Sequence, residues 1–183
     1  YEKSGFFCAN IKRGNSLIDD VSIDALAFDW AKEFPTAMQN GGFTLVVGNP
    51  PYVDVKTIDK KFVDYYFEKY ETAENRINLY ALFIERSINL LAKQGILSFI
   101  VPNSLLVNSS YLKIRQKMYE GIEHIVKLPS DVFEAANVET IIFKYQKDVV
   151  FTQAKALVYP SNVRINKIEI TDFTAWKVFN KVN

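Results

Sequence analysis

An excess of charge of either sign is missing from this 183-residue sequence, where 22 Lys and Arg stand against 21 Asp and Glu for a formal net charge of +1. A protein that grips nucleic acid unaided usually carries a basic excess or stripe, so the balance argues against a stand-alone nucleic-acid binder. Cysteine occurs once, as Cys8, which excludes an intramolecular disulfide and suits a reducing cytoplasm. Histidine also occurs once, as His124, so no His/Cys ligand cluster for zinc can form and no metal site is expected. No apolar run approaches the length needed to cross a bilayer, and the first residues do not read as a signal peptide. Seven glycines and six prolines are no excess, and no low-complexity tract is present. With 49% hydrophobic and 23% charged residues, the composition is that of a soluble globular protein rather than a disordered one. An initiator methionine is also lacking at Tyr1, so the chain reads as a piece of something larger.

What is present fits one domain with a real core plus a trailing segment. A turn-like Gly14-Asn15-Ser16 interrupts residues 11–18, and helical spacing runs from Ile23 through Leu26 and Phe28 to Trp30, ending before Pro35. Phe43 to Val47 is a short apolar run bounded by Gly42 and Gly48, the pattern of a strand buried on both faces. It must stop at Pro50-Pro51, because proline has no N–H to give to a sheet ladder. Past an aromatic stretch with Phe62, Tyr65, Tyr66, Phe67 and Tyr70, a helix is expected over 78–92, with Glu85, Arg86 and Asn89 off its apolar face and Gly95 as its left-handed cap. Ile96 to Val101 repeats the strand-then-proline pattern. A helix over 111–121 and strands over 124–128 and 139–145 follow. This alternation indicates an α/β layered domain with a largely parallel sheet over residues 1–147, and residues 148–183 read as a connector or the start of another region.

Asn49-Pro50-Pro51-Tyr52 stands where such sheets bind ligands, at the carboxyl end of a strand. Its residue types suit the methylation of an exocyclic aromatic amine, whose lone pair is delocalised into the ring and nucleophilically weak. Two acceptors aimed at the two N–H groups pull the nitrogen toward a tetrahedral shape and free that lone pair. The Asn49 side-chain carbonyl and the main-chain carbonyl of Pro50 supply them, and the prolines hold both in place. Tyr52 would offer a flat face to the target ring. The competing use of the tetrapeptide is a strand-ending turn, with the asparagine capping and the tyrosine packed on the core.

The run Val46-Val47-Gly48-Asn49-Pro50-Pro51-Tyr52-Val53 resembles the catalytic motif of the N(6)-adenine DNA methyltransferases of restriction-modification systems, including type IIG fusions. Residues 10–17, Asn-Ile-Lys-Arg-Gly-Asn-Ser-Leu, look like the family stretch beside the adenine of S-adenosylmethionine, with Asn15 where many members have Asp. Residues 76–83 and 95–103 are similar to the next helix and strand of the family. Residues 132–140 resemble the late motif whose aromatic, here Phe133, helps to hold a flipped base.

The resemblance implies a Rossmann-like S-adenosylmethionine-dependent methyltransferase fold. It also implies a reaction on adenine in double-stranded DNA, and cofactor contacts at Asn15 and Ser16. A restriction endonuclease domain or subunit is an implied partner. The glycine-rich loop and the acidic residue that hold the rest of the cofactor in family members have no counterpart here, so the fold is expected to be incomplete and cofactor binding by this stretch alone weak or absent. Without the family's first strand, Phe43 to Val47 should keep an open edge and invite self-association. Three readings stay open: DNA methylation, protein glutamine methylation by the same tetrapeptide, and a non-catalytic DNA-binding or assembly module. Phe133 could equally pack inward, and the aromatics of residues 62–70 could cap the core.

Overall fold

The computed structural model describes residues 10–74, 77–129, 138–159 and 164–169. Its elements in chain order are α1 (Trp30–Glu33), α2 (Pro35–Gln39), β1 (Phe43–Gly48), α3 (Lys60–Lys69), α4 (Leu79–Leu90), β2 (Leu91–Pro102), α5 (Ser104–Val107), α6 (Leu112–Met118), β3 (Ile122–Lys127), β4 (Thr140–Gln146), β5 (Gln153–Val158) and β6 (Arg164–Glu169).

One six-stranded sheet organises them, in the order β1-β2-β4-β3-β5-β6. It is mixed rather than largely parallel. β1 with β2 and β3 with β5 run parallel, whereas β4 lies antiparallel to both its neighbours and β6 antiparallel to β5. The β1–α4–β2 segment is the crossover that parallel neighbours need; β4 enters the sheet from the opposite end and so reverses direction. Leu97, Phe99 and Val101 of β2, Ile125 of β3 and Ile141 and Phe143 of β4 form the middle of the core, where α4 adds Leu82, Ile84 and Ile88. Beyond Lys147 the sheet continues: β5, in the stretch expected as a connector, buries Ala154 and Ala156.

The helix expected over Ile23 to Trp30 does not form. Carboxylates of Asp20, Asp24 and Asp29 each accept from a main-chain N–H two residues on, at Ser22 (2.8 Å), Leu26 (2.9 Å) and Ala31 (3.0 Å). Such local bonds compete with helix hydrogen bonds, and only Asp29 acts as a helix cap, for α1.

β1 is not buried on both faces, since Leu45 is 57% and Val47 69% exposed. It stands at the end of the strand order, and its odd-numbered side chains share one face. Nor is Gly95 the cap of α4. The chain turns extended at Leu91 directly after the helix, the left-handed residue is Gln94 (φ 60°), and Gly95 lies in β2. Phe43 pairs with Leu91 but Leu45 with Ile96, so residues 92–95 bulge from the ladder. At Gly95 a Cβ would come within 2.8 Å of the Phe43 carbonyl oxygen, which explains the glycine by close approach of β1.

Glu85, expected off the apolar face of α4, is buried at 2% exposure. Its carboxylate accepts from the main-chain N–H of Glu71 (3.1 Å) and of Thr72 (2.9 Å) and from the Thr72 hydroxyl, which satisfies the charge.

Candidate active site

β1 delivers Asn49 to the carboxyl edge of the sheet, and Pro50 and Pro51 then end the ladder. Gly48 pairs with Phe99 of β2, and a Cβ on it would sit 3.1 Å from the Phe99 ring, so the glycine lets that ring close against the strand end. Asn49 and Pro51 are exposed, Pro50 is buried and Tyr52 half-buried.

A cavity of about 410 Å³ opens beside the strand end, lined by Asn49, Pro50 and Pro51. Trp30, Phe34, Phe43, Phe83 and Phe99 give it aromatic walls, and Ser16 and Arg86 are among its polar boundary. The walls are braced by ring contacts: Trp30 stacks on Phe34 at 5.8 Å, and Phe43 meets both rings edge-on.

Tyr52 is tied to the neighbouring strand. Its hydroxyl donates to the Ile100 carbonyl (3.1 Å), and its ring lies edge-on to Tyr80 with centroids 6.1 Å apart. Burial pushes the phenol pKa above its ordinary value, so the hydroxyl stays protonated and remains a donor. Tyr80 in turn shares a hydrogen bond with Ser104 (3.1 Å) and packs on Tyr111. Behind the Pro-Pro loop there is thus a rigid aromatic backing.

Of the two residues assigned to the cofactor, Ser16 lines the same cavity as Asn49. Asn15 is engaged within its own loop, where its amide donates to Asp24 (2.8 Å) and its side-chain oxygen accepts from the Leu17 N–H (3.2 Å). Phe133 lies outside the described residues, as does Cys8. Among the described residues no group of three or more His, Cys, Asp and Glu could hold a metal, and no helix is long and apolar enough to cross a membrane. Sequence reasoning missed Trp30 and Phe34 as walls and Arg86 as part of the boundary. The last was within reach, because Arg86 follows Phe83 by three residues on a helix and therefore shares its face.

The sequence profile of the Eco57I restriction-modification methylase family matches residues 5–133. The chain belongs to that family. Among curated members, it is 35% identical over 124 residues to the type II restriction enzyme and methyltransferase RM.Eco57I of Escherichia coli, covering 66% of this chain and 12% of that protein. It is 33% identical over 116 residues to the type II methyltransferase M.BstVI of Geobacillus stearothermophilus, covering 62% of this chain and 20% of that one. The chain therefore spans a small part of the length of these relatives.

In architecture it is similar to the type IIG restriction endonuclease BpuSI, with a TM-score of 0.55 at 22% identity over 80% of this chain and 18% of that one. It is also similar to the type I restriction-modification methyltransferase subunit of Streptococcus thermophilus, with a TM-score of 0.53 at 18% identity over 84% and 34% of the two chains. At such identities the likeness speaks for the fold, the Rossmann-like S-adenosylmethionine-dependent methyltransferase fold, of which the family member described here holds a part.

The cavity suits one end of S-adenosylmethionine better than the other. Aromatic walls and the Ser16 hydroxyl match a flat adenine with polar edges. Among the described residues no Asp or Glu lines the cavity to receive ribose hydroxyls or the methionyl ammonium.

Proposed function

We propose that the protein carrying this chain methylates the exocyclic amine of adenine in double-stranded DNA, with Asn49 and Pro50 as the groups that act on the amine. The observation that carries this reading is an exposed asparagine at a parallel-strand end, followed by two prolines and opening on an aromatic-walled cavity. S-adenosylmethionine supplies the methyl group as an electrophilic carbon on a sulfonium. Ser16 and the aromatic walls hold its adenine, and Asn15 shapes the loop that presents Ser16.

The target base has to leave the helical stack to reach the strand end. The Asn49 side-chain oxygen accepts from one N–H of the amine and the Pro50 carbonyl from the other, which concentrates the lone pair on nitrogen for attack on the methyl carbon. As the N–C bond forms, the C–S bond of the sulfonium would break with its electron pair left on sulfur as a neutral thioether, the nitrogen would turn cationic, and its extra proton would pass to water, so no dedicated base is needed. The two prolines keep both acceptors in place before the reaction starts. Tyr52, backed by Tyr80, braces the base side of the loop, and the family resemblance assigns Phe133 to holding the base. DNA affinity and sequence recognition come from other parts of the protein, in keeping with the near-neutral charge of this stretch. A restriction endonuclease domain or subunit is the expected companion.

The test is Asn49→Ala in the full-length protein, with methyl incorporation into adenine-containing duplex DNA measured beside incorporation into protein. Methylation of DNA should fall by at least about a hundredfold, the scale of removing one preorganised donor or acceptor at a reacting centre. The thermal midpoint should stay within about 2 °C, since substituting an exposed residue seldom costs more than about 0.5 kcal/mol. Retained DNA methylation would remove the mechanism, and incorporation into protein alone would transfer it to glutamine amides.

A further inference from the structure

Residues 16–18 carry three consecutive carbonyls, starting at the cavity-lining Ser16 and running into the core behind it, and each receives a donor from elsewhere in the fold. Ser16 accepts from the Trp30 indole N–H (3.2 Å) and Ile18 from the Phe28 main-chain N–H (2.7 Å). Leu17 accepts twice, from the Tyr70 hydroxyl (2.7 Å) and from Arg86 Nη2 (3.2 Å). Leu17 and Ile18 are themselves buried, at 1% and 0% exposure, so this loop has no slack.

Arg86 and Tyr70 form one unit. The guanidinium Nε donates to the Tyr70 hydroxyl at 2.9 Å, and its carbon lies 5.4 Å from the centre of the Tyr70 ring. Its Nη1 and Nη2 reach the Asp19 carboxylate at 3.4 and 3.3 Å. Tyr65 (2.7 Å) and Lys69 (3.1 Å) from α3 complete the shell of Asp19. Although Arg86 borders the cavity, these contacts engage all three of its nitrogens toward the loop rather than toward a ligand. Burial disfavours the guanidinium charge, and the Tyr70 and Asp19 oxygens more than offset it, so the group stays cationic.

We propose that Arg86 and Tyr70 are positioning residues for the cofactor, a clamp from α4 and the end of α3 that grips the Leu17 carbonyl and so sets Ser16 at the cavity wall. The clamp acts through the loop and touches neither the target base nor the transferred methyl. This rests on reading the cavity as the adenine end of an S-adenosylmethionine site.

The experiment uses the full-length protein with Arg86→Met, Arg86→Lys and Tyr70→Phe. Binding of S-adenosylmethionine is measured by titration calorimetry, DNA methylation by steady-state kinetics, and main-chain amide exchange by mass spectrometry. Arg86→Met should raise the Kd and KM for S-adenosylmethionine by about tenfold or more, and Tyr70→Phe by about threefold, as expected for losing hydrogen bonds to one acceptor. The saturated kcat and the KM for DNA should stay close to wild type. Arg86→Lys should recover part of the affinity, because a single ammonium replaces a fork. Peptides covering residues 15–28 should exchange faster in Arg86→Met.

Unchanged cofactor affinity with unchanged exchange in both Arg86→Met and Tyr70→Phe overturns the proposal, as does a loss confined to kcat or to DNA affinity. If Arg86→Met fails to fold, Tyr70→Phe, which removes a single oxygen, decides. A wild-type protein that binds no S-adenosylmethionine overturns the reading of the cavity instead, and the exchange data still report whether the clamp holds the loop.

Discussion

Tyr52 shows how one side chain can serve a site through what lies behind it. From the sequence it reads as a flat surface for the target base; the structure gives its hydroxyl a partner in Ile100, 48 residues away, and its ring an edge contact with Tyr80. No local pattern announces such partners, because they depend on which strand becomes the neighbour. Tyr52→Phe keeps the ring and deletes the bond to Ile100, so it should lower stability by about 1 kcal/mol, read as a shift of the urea midpoint without a change in slope. The end of β1 before Pro50 and Pro51 was legible for the opposite reason. Proline ends a ladder wherever it stands, and that property belongs to the residue itself.

At the scale of elements, β1, α4, the core of β2, α6, β3 and β4 were readable from periodicity and prolines, which act over a few residues. Others were not, two of them because local contacts override the pattern. Aspartates 20, 24 and 29 fold their neighbours into local turns where apolar spacing alone suggests a helix, and Gly95 answers to the Phe43 backbone rather than to the end of α4. The loop of residues 15–19 and helix α3 meet at Asp19, and this contact should respond to acid. Burial raises the Asp19 pKa, the hydrogen bonds from Tyr65 and Lys69 and the Arg86 charge lower it more, and the net shift is downward from 3.8. A carboxyl with a lowered folded-state pKa adds stability that is fully present above its ordinary value and is lost as pH falls through the folded-state value. Wild type should therefore lose stability relative to Asp19→Asn only when the pH drops below about 4, and should be the more stable of the two at neutral pH. Thermal midpoints of the pair from pH 7 to pH 2.5 check this; parallel curves would remove the role of Asp19.

For the molecule as a whole, α/β alternation was visible, whereas the direction of β4 and the continuation of the sheet through β5 and β6 were not. Strand order is a property of the closed fold. A strand's own residues report burial and twist, but not which neighbour it meets or from which end it enters. Among the described residues no strand pairs with the outer side of β1, where Leu45 and Val47 are exposed, and such an edge beside apolar side chains invites pairing with another chain. The 183-residue chain should associate with itself in a concentration-dependent way. Val47→Lys should shift sedimentation toward monomer at little cost to folding, because an exposed position absorbs a charge for about 0.5 kcal/mol or less. A wild-type chain that stays monomeric at all concentrations would contradict this.

The middle of the sheet is filled by a late arrival: β4 sits between β2 and β3, both of which precede it in the chain. During synthesis, a nascent polypeptide that has emerged only as far as Lys127 holds two incomplete pieces whose facing borders cannot join each other in the native register. Until Thr140 to Gln146 leave the ribosome, those two borders are open to wrong partners, so the middle of the sheet closes with the release of seven residues rather than with the strand that presents Asn49.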